Sequence, residues 1–159
     1  MATNSNSYLT FRVGQETFGV NVVKVMEIRE YVAPRVLPQT LPFVKGVVEY
    51  RDEVIPLIDT GLKFGQDEIK VDVDTVMIVL QLISDTLSKT YRVAILVDAV
   101  SDVIECETSE LKLISDDYRP GYIQSTYTQN DKFIYILNSD LVFNQKEVIS
   151  MLDSIRNIK

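Results

Sequence analysis

The residues of this chain that could react are few, and each type lacks the partner its chemistry needs. There is no histidine, which excludes Ser–His and Cys–His pairs, an imidazole base and a histidine metal ligand. The lone cysteine, Cys106, lies between Glu105 and Glu107. Flanking carboxylates raise a thiol's pKa, and one cysteine closes neither an internal disulfide nor a thiolate metal cage. Asp72 with Asp74, and Asp116 with Asp117, could offer oxygens to a hard cation, but the other ligands of a cation loop are missing and both read as solvated acidic turns. Asp98 and Asp102 stand four apart. On a short helix they would form a carboxylate pair, although negative charge at a helix start accounts for Asp98 without chemistry. Tyr118, Tyr122, Tyr127 and Tyr135 could line a cleft, yet their spacing is that of strand residues in a barrel. With six glycines there is no phosphate-cradling loop and no nucleophile elbow. No catalytic residue, metal or cofactor is expected.

What remains is a surface for adhesion, and the charge narrows its partners. The 159 residues carry a formal net charge of -7, a field that repels nucleic acid and anionic lipid. Residues 1–7 are polar, with no basic stretch leading into an apolar one, and the densest apolar run, 76–82, is far too short to span a bilayer. The expectation is a cytoplasmic protein without membrane insertion. With 46% hydrophobic and 25% charged residues it folds as one domain, or as two small half-domains sharing an interface.

The elements that must position such a surface are mostly strands. Residues 1–7 read as a flexible tail. Alternation predicts strands over 8–13 and 17–22, then a helical turn leading into an extended segment near 22–28. Pro34, Pro38 and Pro42 exclude a long helix in the next stretch. Strands 43–50 and 53–58 turn about Arg51-Asp52, 60–64 makes a helical turn, and 65–74 is an acidic connection. Two further strands, 75–84 and 90–98, precede a helical turn over 98–103. A loop at 116–121 leads to a hairpin of 122–128 and 132–137. Asn144 and Glu147 form a capping box for an amphipathic helix over 144–159, whose apolar face is Val148, Met151, Leu152, Ile155 and Ile158.

The chain also repeats. Residues 43–64 fall on 122–143 at a constant shift of 79, pairing Phe43 with Tyr122, Asp52 with Asp131 and Phe64 with Phe143; residues 25–28 fall on 100–103 at a shift of 75. Duplication predicts two small barrels, over about 8–70 and 74–143, each too small for a generous core alone and so packed on the other across a seam.

Three blocks resemble the CheW family. Residues 18–29 (Phe-Gly-Val-Asn-Val-Val-Lys-Val-Met-Glu-Ile-Arg) resemble the segment after that family's first hairpin. Residues 42–59 resemble its central motif, in which an apolar strand reaches an Asn-Leu-Arg-Gly turn and returns through Val-Ile-Pro-x-x-Asp. Residues 94–103 resemble its second-half Val-Asp-x-Val signature. The resemblance implies an all-β fold of two five-stranded SH3-like barrels around a hydrophobic seam. It implies an adaptor that binds the cytoplasmic tip of methyl-accepting chemoreceptors and the regulatory domain of a CheA-type histidine kinase. It also implies partner contacts through Val25, Glu27, Ile28, Gly46, Val47, Arg51 and Asp52.

Two readings of Arg51 follow. An arginine fork is a favoured interface anchor; alternatively Arg51 pairs internally with Glu27 or Asp52 and only fixes the turn. The family's Asn-Leu-Arg-Gly is Glu49-Tyr50-Arg51-Asp52 here. Asp tolerates the left-handed conformation the bend needs, and two carboxylates beside the arginine suggest a partner with a matching basic residue. A CheW-like adaptor of a kinase pathway outside chemotaxis, or a small-ligand or enzymatic barrel, are the alternatives.

Overall fold

The computed structural model describes residues 5–38, 40–114 and 120–156. Its strands are β1 (Ser5–Val13), β2 (Glu16–Asn21), β3 (Val25–Glu30), β4 (Val44–Tyr50), β5 (Glu53–Asp59), β6 (Val76–Ser84), β7 (Lys89–Val97), β8 (Ala99–Glu107), β9 (Lys112–Leu113), β10 (Ile123–Gln129) and β11 (Lys132–Leu137). Two helices accompany them, α1 (Thr60–Lys63) and α2 (Gln145–Arg156). The tight hairpins are set by backbone sign. Arg51 and Asp52 have φ of 45° and 65°, and Asn130 and Asp131 at the repeated position have 50° and 64°. Two consecutive left-handed residues suit the twist of a two-residue hairpin, and Asn and Asp adopt that conformation readily. Before α2, the Asn144 side chain accepts the Glu147 N–H at 2.8 Å while Glu147 accepts the Asn144 N–H at 2.9 Å, closing the expected capping box.

The strands form two sheets, in the orders β8-β1-β2-β11-β10-β9 and β3-β6-β7-β5-β4. The mainly β, two-subdomain fold is therefore as expected, with the two-residue β9 as a sixth strand in the first sheet. The sheets do not divide at 70–74, however. The second is built from the continuous stretch 25–97, and the first from the two ends of the chain around it. Each takes strands from both repeats: β3 pairs with β6, β8 with β1, and the parallel pairs β5–β7 and β11–β2 join one repeat's hairpin to the other's. Pattern alone cannot forbid this, because the repeats have the same apolar period and either partner buries the same face.

Each sheet is drawn toward closure by the segment that follows the third strand of a repeat, β3 for the second sheet and β8 for the first. Arg35 exchanges two backbone hydrogen bonds with Val47, both 2.9 Å, beside β4. Likewise β9 pairs with β10, Leu113 opposite Ser125. Gly46 lies next to the first closure with φ 151°, and a Cβ there would collide with the Arg35 carbonyl. Gly46→Ala is therefore expected to lower stability by about 1–3 kcal/mol, read as a fall in the denaturant midpoint. An unchanged midpoint would mean the closure contributes nothing.

Two local expectations need correction. Ser5, Asn6 and Ser7 are strand, opposite Glu107, Cys106 and Glu105, not tail. Ladder bonds are made by backbone, so polar side chains do not prevent them. Residues 99–103 are strand as well, not a helical turn. Ile104 and Cys106 alternate into the core, while Asp98 accepts the Gly14 N–H at 2.6 Å and donates its own N–H to the Arg12 carbonyl at 3.0 Å. Asp98 thus secures the β1–β2 turn, and it shares no helix face with Asp102. Asp116, Asp117, Tyr118 and most of the expected loop at 116–121 lie outside the described residues, as does residue 158 of the expected helix face.

One large apolar cluster joins the sheets and α2, and a smaller one (Tyr8, Ile104, Cys106, Ile134, Ile136) fills the first sheet's own interior. The seam is aromatic and follows the repeat: Phe43 meets Phe143 at 5.8 Å, and their counterparts Tyr122 and Phe64 meet at 5.4 Å. The Lys63 ammonium lies 5.1–5.7 Å from the rings of Phe43, Tyr122 and Phe143 and 3.5 Å from Glu147. Cation–π contact seats Lys63 among the seam rings, and its ion pair with Glu147 ties α2 to them.

Candidate partner-binding site

The β4–β5 turn projects Arg51 from the second sheet, and its neighbours fix where the guanidinium points. Arg51 is 63% exposed. Its Nη2 donates to Glu27 Oε1 at 3.3 Å, and its guanidinium lies 5.1 Å from the Tyr50 ring centroid. Arg29, two residues beyond Glu27 on β3, holds the other carboxylate oxygen with its Nε at 3.3 Å and donates from Nη1 to the Glu49 carbonyl at 3.2 Å. Arg29 and Arg92 also approach the Tyr50 ring, at 5.6 and 5.9 Å, and Arg92 pairs with Glu53 at 3.2 Å. One buried ring thus carries three guanidiniums. Cation–π contact and ion pairing hold Arg51 in place while most of its five N–H donors stay free for another molecule.

Beside this cluster an open groove of about 700 Å³ runs between β3 and β4, the two end strands of their sheet. Its floor includes Val47, Val48 and Met77, all buried, and its rim includes the half-exposed Ile28 and Val32.

The structure brings Glu27, Ile28 and Arg51 to this groove and turn, with Asp52 exposed beside Arg51. The internal Arg51–Glu27 pair exists; Asp52 makes no ion pair among the described residues. Val25 is half-buried against the core. Gly46 and Val47 are buried in the barrel closure, and Val47 forms part of the groove floor. Sequence reasoning missed Arg29, Tyr50 and Arg92. Arg29 was within reach, since strand period two places it on the face of Glu27; Arg92 reaches Tyr50 only through the β5–β7 crossover.

Burial pushes the Cys106 thiol up, and the field of Glu110 adds to it; Glu105 and Glu107 point outward from β8. The Tyr91 hydroxyl is buried without a hydrogen-bond partner, and burial, then Asp140 and Glu147, raise its pKa. Among the described residues no three acidic or cysteine side chains cluster as a metal site, and no helix is long and apolar enough to cross a membrane.

Known proteins share this plan. The profile of the CheW-like domain matches residues 7–147. The chemotaxis protein CheW of Klebsiella aerogenes is 34% identical over 110 residues, 69% of this chain and 63% of that protein, so the match spans a little less than two thirds of the relative's length. The chemotaxis protein CheW of Rhizobium meliloti is 27% identical over 150 residues, covering 92% and 93% of the two chains. In fold, the scaffolding protein TtCheW from Thermoanaerobacter tengcongensis superposes with a TM-score of 0.76 over 89% of this chain and 90% of its own, at 22% identity. The profile's match over residues 7–147 takes in strands of both sheets and the groove between β3 and β4: this chain belongs to the family of CheW-like domain proteins.

Proposed function

We propose that this chain is a scaffold of a bacterial chemosensory array, coupling chemoreceptors to a CheA-type histidine kinase. Its partners are the cytoplasmic tip of a methyl-accepting receptor and the regulatory domain of the kinase, and it works in the cytoplasm. It catalyses nothing; its chemistry is adhesion, and small shifts of the bridge bias the kinase between states. The observation that carries this reading is Arg51, exposed on a left-handed turn and oriented by Glu27 and Tyr50 beside a groove with an apolar floor and a charged rim. A pre-oriented arginine at the edge of an apolar surface is the usual form of an interface anchor.

Arg51→Ala is expected to weaken binding of the receptor tip or the kinase domain about tenfold, a rim anchor being worth roughly 1–2 kcal/mol. The melting temperature should hardly move, because an exposed pair such as Arg51–Glu27 adds little to stability. Calorimetric titration with each partner checks this, and unchanged affinity for both removes Arg51 from the site.

A further inference from the structure

The arginines beside the groove are largely committed to internal partners, and the charges left over are mostly acidic. Arg29 and Arg51 share the two oxygens of Glu27, and Arg92 is held by Glu53. Glu30, Glu49 and Asp52 are all exposed and form no ion pair among the described residues; Arg35 is the single unpaired cation lining the groove. Glu30 at the end of β3 and Glu49 on β4 line the groove from its two walls, while Asp52 stands outside it on the turn. Between those walls the floor is the apolar surface of Val47, Val48 and Met77.

From this arrangement we infer that the groove accepts a lysine or arginine side chain of the partner protein, with its aliphatic stem on the Val48–Met77 floor and its charged head between Glu30 and Glu49. A long basic side chain has both parts, an apolar stem that gains from leaving water and a head that stays solvated at a carboxylate rim. An acidic partner residue would be repelled by both walls, and a purely apolar one would leave two carboxylates partly desolvated and unpaired. Arg51 then supplies the opposite contact, donating its spare N–H groups to an acceptor on the same partner. Glu49 and Glu30 are in this sense specificity determinants, selecting partners by the sign of one residue.

The inference rests on the groove being the docking site, and the experiment separates the two. The receptor hairpin tip and, separately, the kinase regulatory domain are titrated into the wild type, Glu49→Gln, Glu49→Lys, Glu30→Lys and Arg51→Ala, at low and high salt, with melting curves confirming that each variant folds. For the partner that seats here, charge reversal at either glutamate is expected to weaken binding about tenfold and Glu49→Gln about threefold, the loss shrinking at high salt. Reversal of one basic residue on that partner to glutamate should restore affinity for Glu49→Lys. If Arg51→Ala weakens binding while both reversals leave it unchanged or stronger, the basic-residue subsite is wrong and the docking site stands. If no variant weakens binding to either protein, both fail.

Discussion

Replacing Asp59 by alanine is expected to destabilise the protein by about 3–5 kcal/mol, the cost of breaking a buried, hydrogen-bonded ion pair from one side. Asp59 ends β5 with no exposed surface. One carboxylate oxygen accepts the Leu62 N–H at 3.1 Å, capping α1, and the other accepts the Ile69 N–H at 3.0 Å. The Lys45 ammonium lies 3.7 Å away, itself only 20% exposed and shared with Glu68 at 3.1 Å. Alanine would leave two backbone donors without their acceptor and the Lys45 ammonium with Glu68 alone, and each orphaned donor costs about 1–3 kcal/mol. Asparagine keeps the shape and one acceptor oxygen but not the charge, so Asp59→Asn should fall between. Denaturant unfolding with an unchanged m-value measures both. A loss below about 1 kcal/mol for alanine would show that water replaces the carboxylate and that this network does not hold the connection from β5 to β6.

How far the sequence could be read follows from the range of each signal. The hairpins are local: alternation sets the strands, and Arg51-Asp52 and Asn130-Asp131 announce their turns, so those elements stand within a residue or two of expectation. The repeat was legible too, and the aromatic pairs at the seam are its consequence. Which strands exchange between repeats was not, because β5 must choose β7 over many segments of equal period, and that choice is made by burial of the whole core. Residues 99–103 misled for a related reason. Asp98 and Asp102 look like helix-start charges, yet Asp98 answers a backbone N–H 84 residues away at Gly14. At the site, Arg51 and Glu27 were found through motif positions. Gly46 and Val47 were placed on the surface with them, although the collision a Cβ at Gly46 would cause shows a packing requirement. The second acidic wall, Glu30, has no local signal at all; it acquires meaning only when β3 and β4 are seen to flank one groove.

The exchanged topology bears on whether the sheets can lose structure separately, and Phe11→Ala tests it. Phe11 is on β1, in the sheet made from the chain's two ends, and is fully buried. Its ring stacks at 5.9 Å on Phe18, Phe18 meets Phe64 at 4.7 Å, and Phe64 meets Tyr122 at 5.4 Å. Through these rings the first sheet's face joins the same apolar cluster as Leu57, Ile78 and Leu96 of the second. Truncation to alanine removes that ring and leaves a cavity that close-packed neighbours fill only in part, at about 3–5 kcal/mol. The second sheet is one continuous stretch of chain, 25–97, so a protein of independent barrels would let it survive the loss. An interlocked one would not, since both sheets bury the same cluster and each closes with strands of the other repeat. The expected result is a single unfolding transition at lower denaturant, with hydrogen-exchange protection falling by similar factors for β6–β7 amides and for β1–β2 amides. Protection lost in β1–β2 alone would show that the shared core does not couple the sheets.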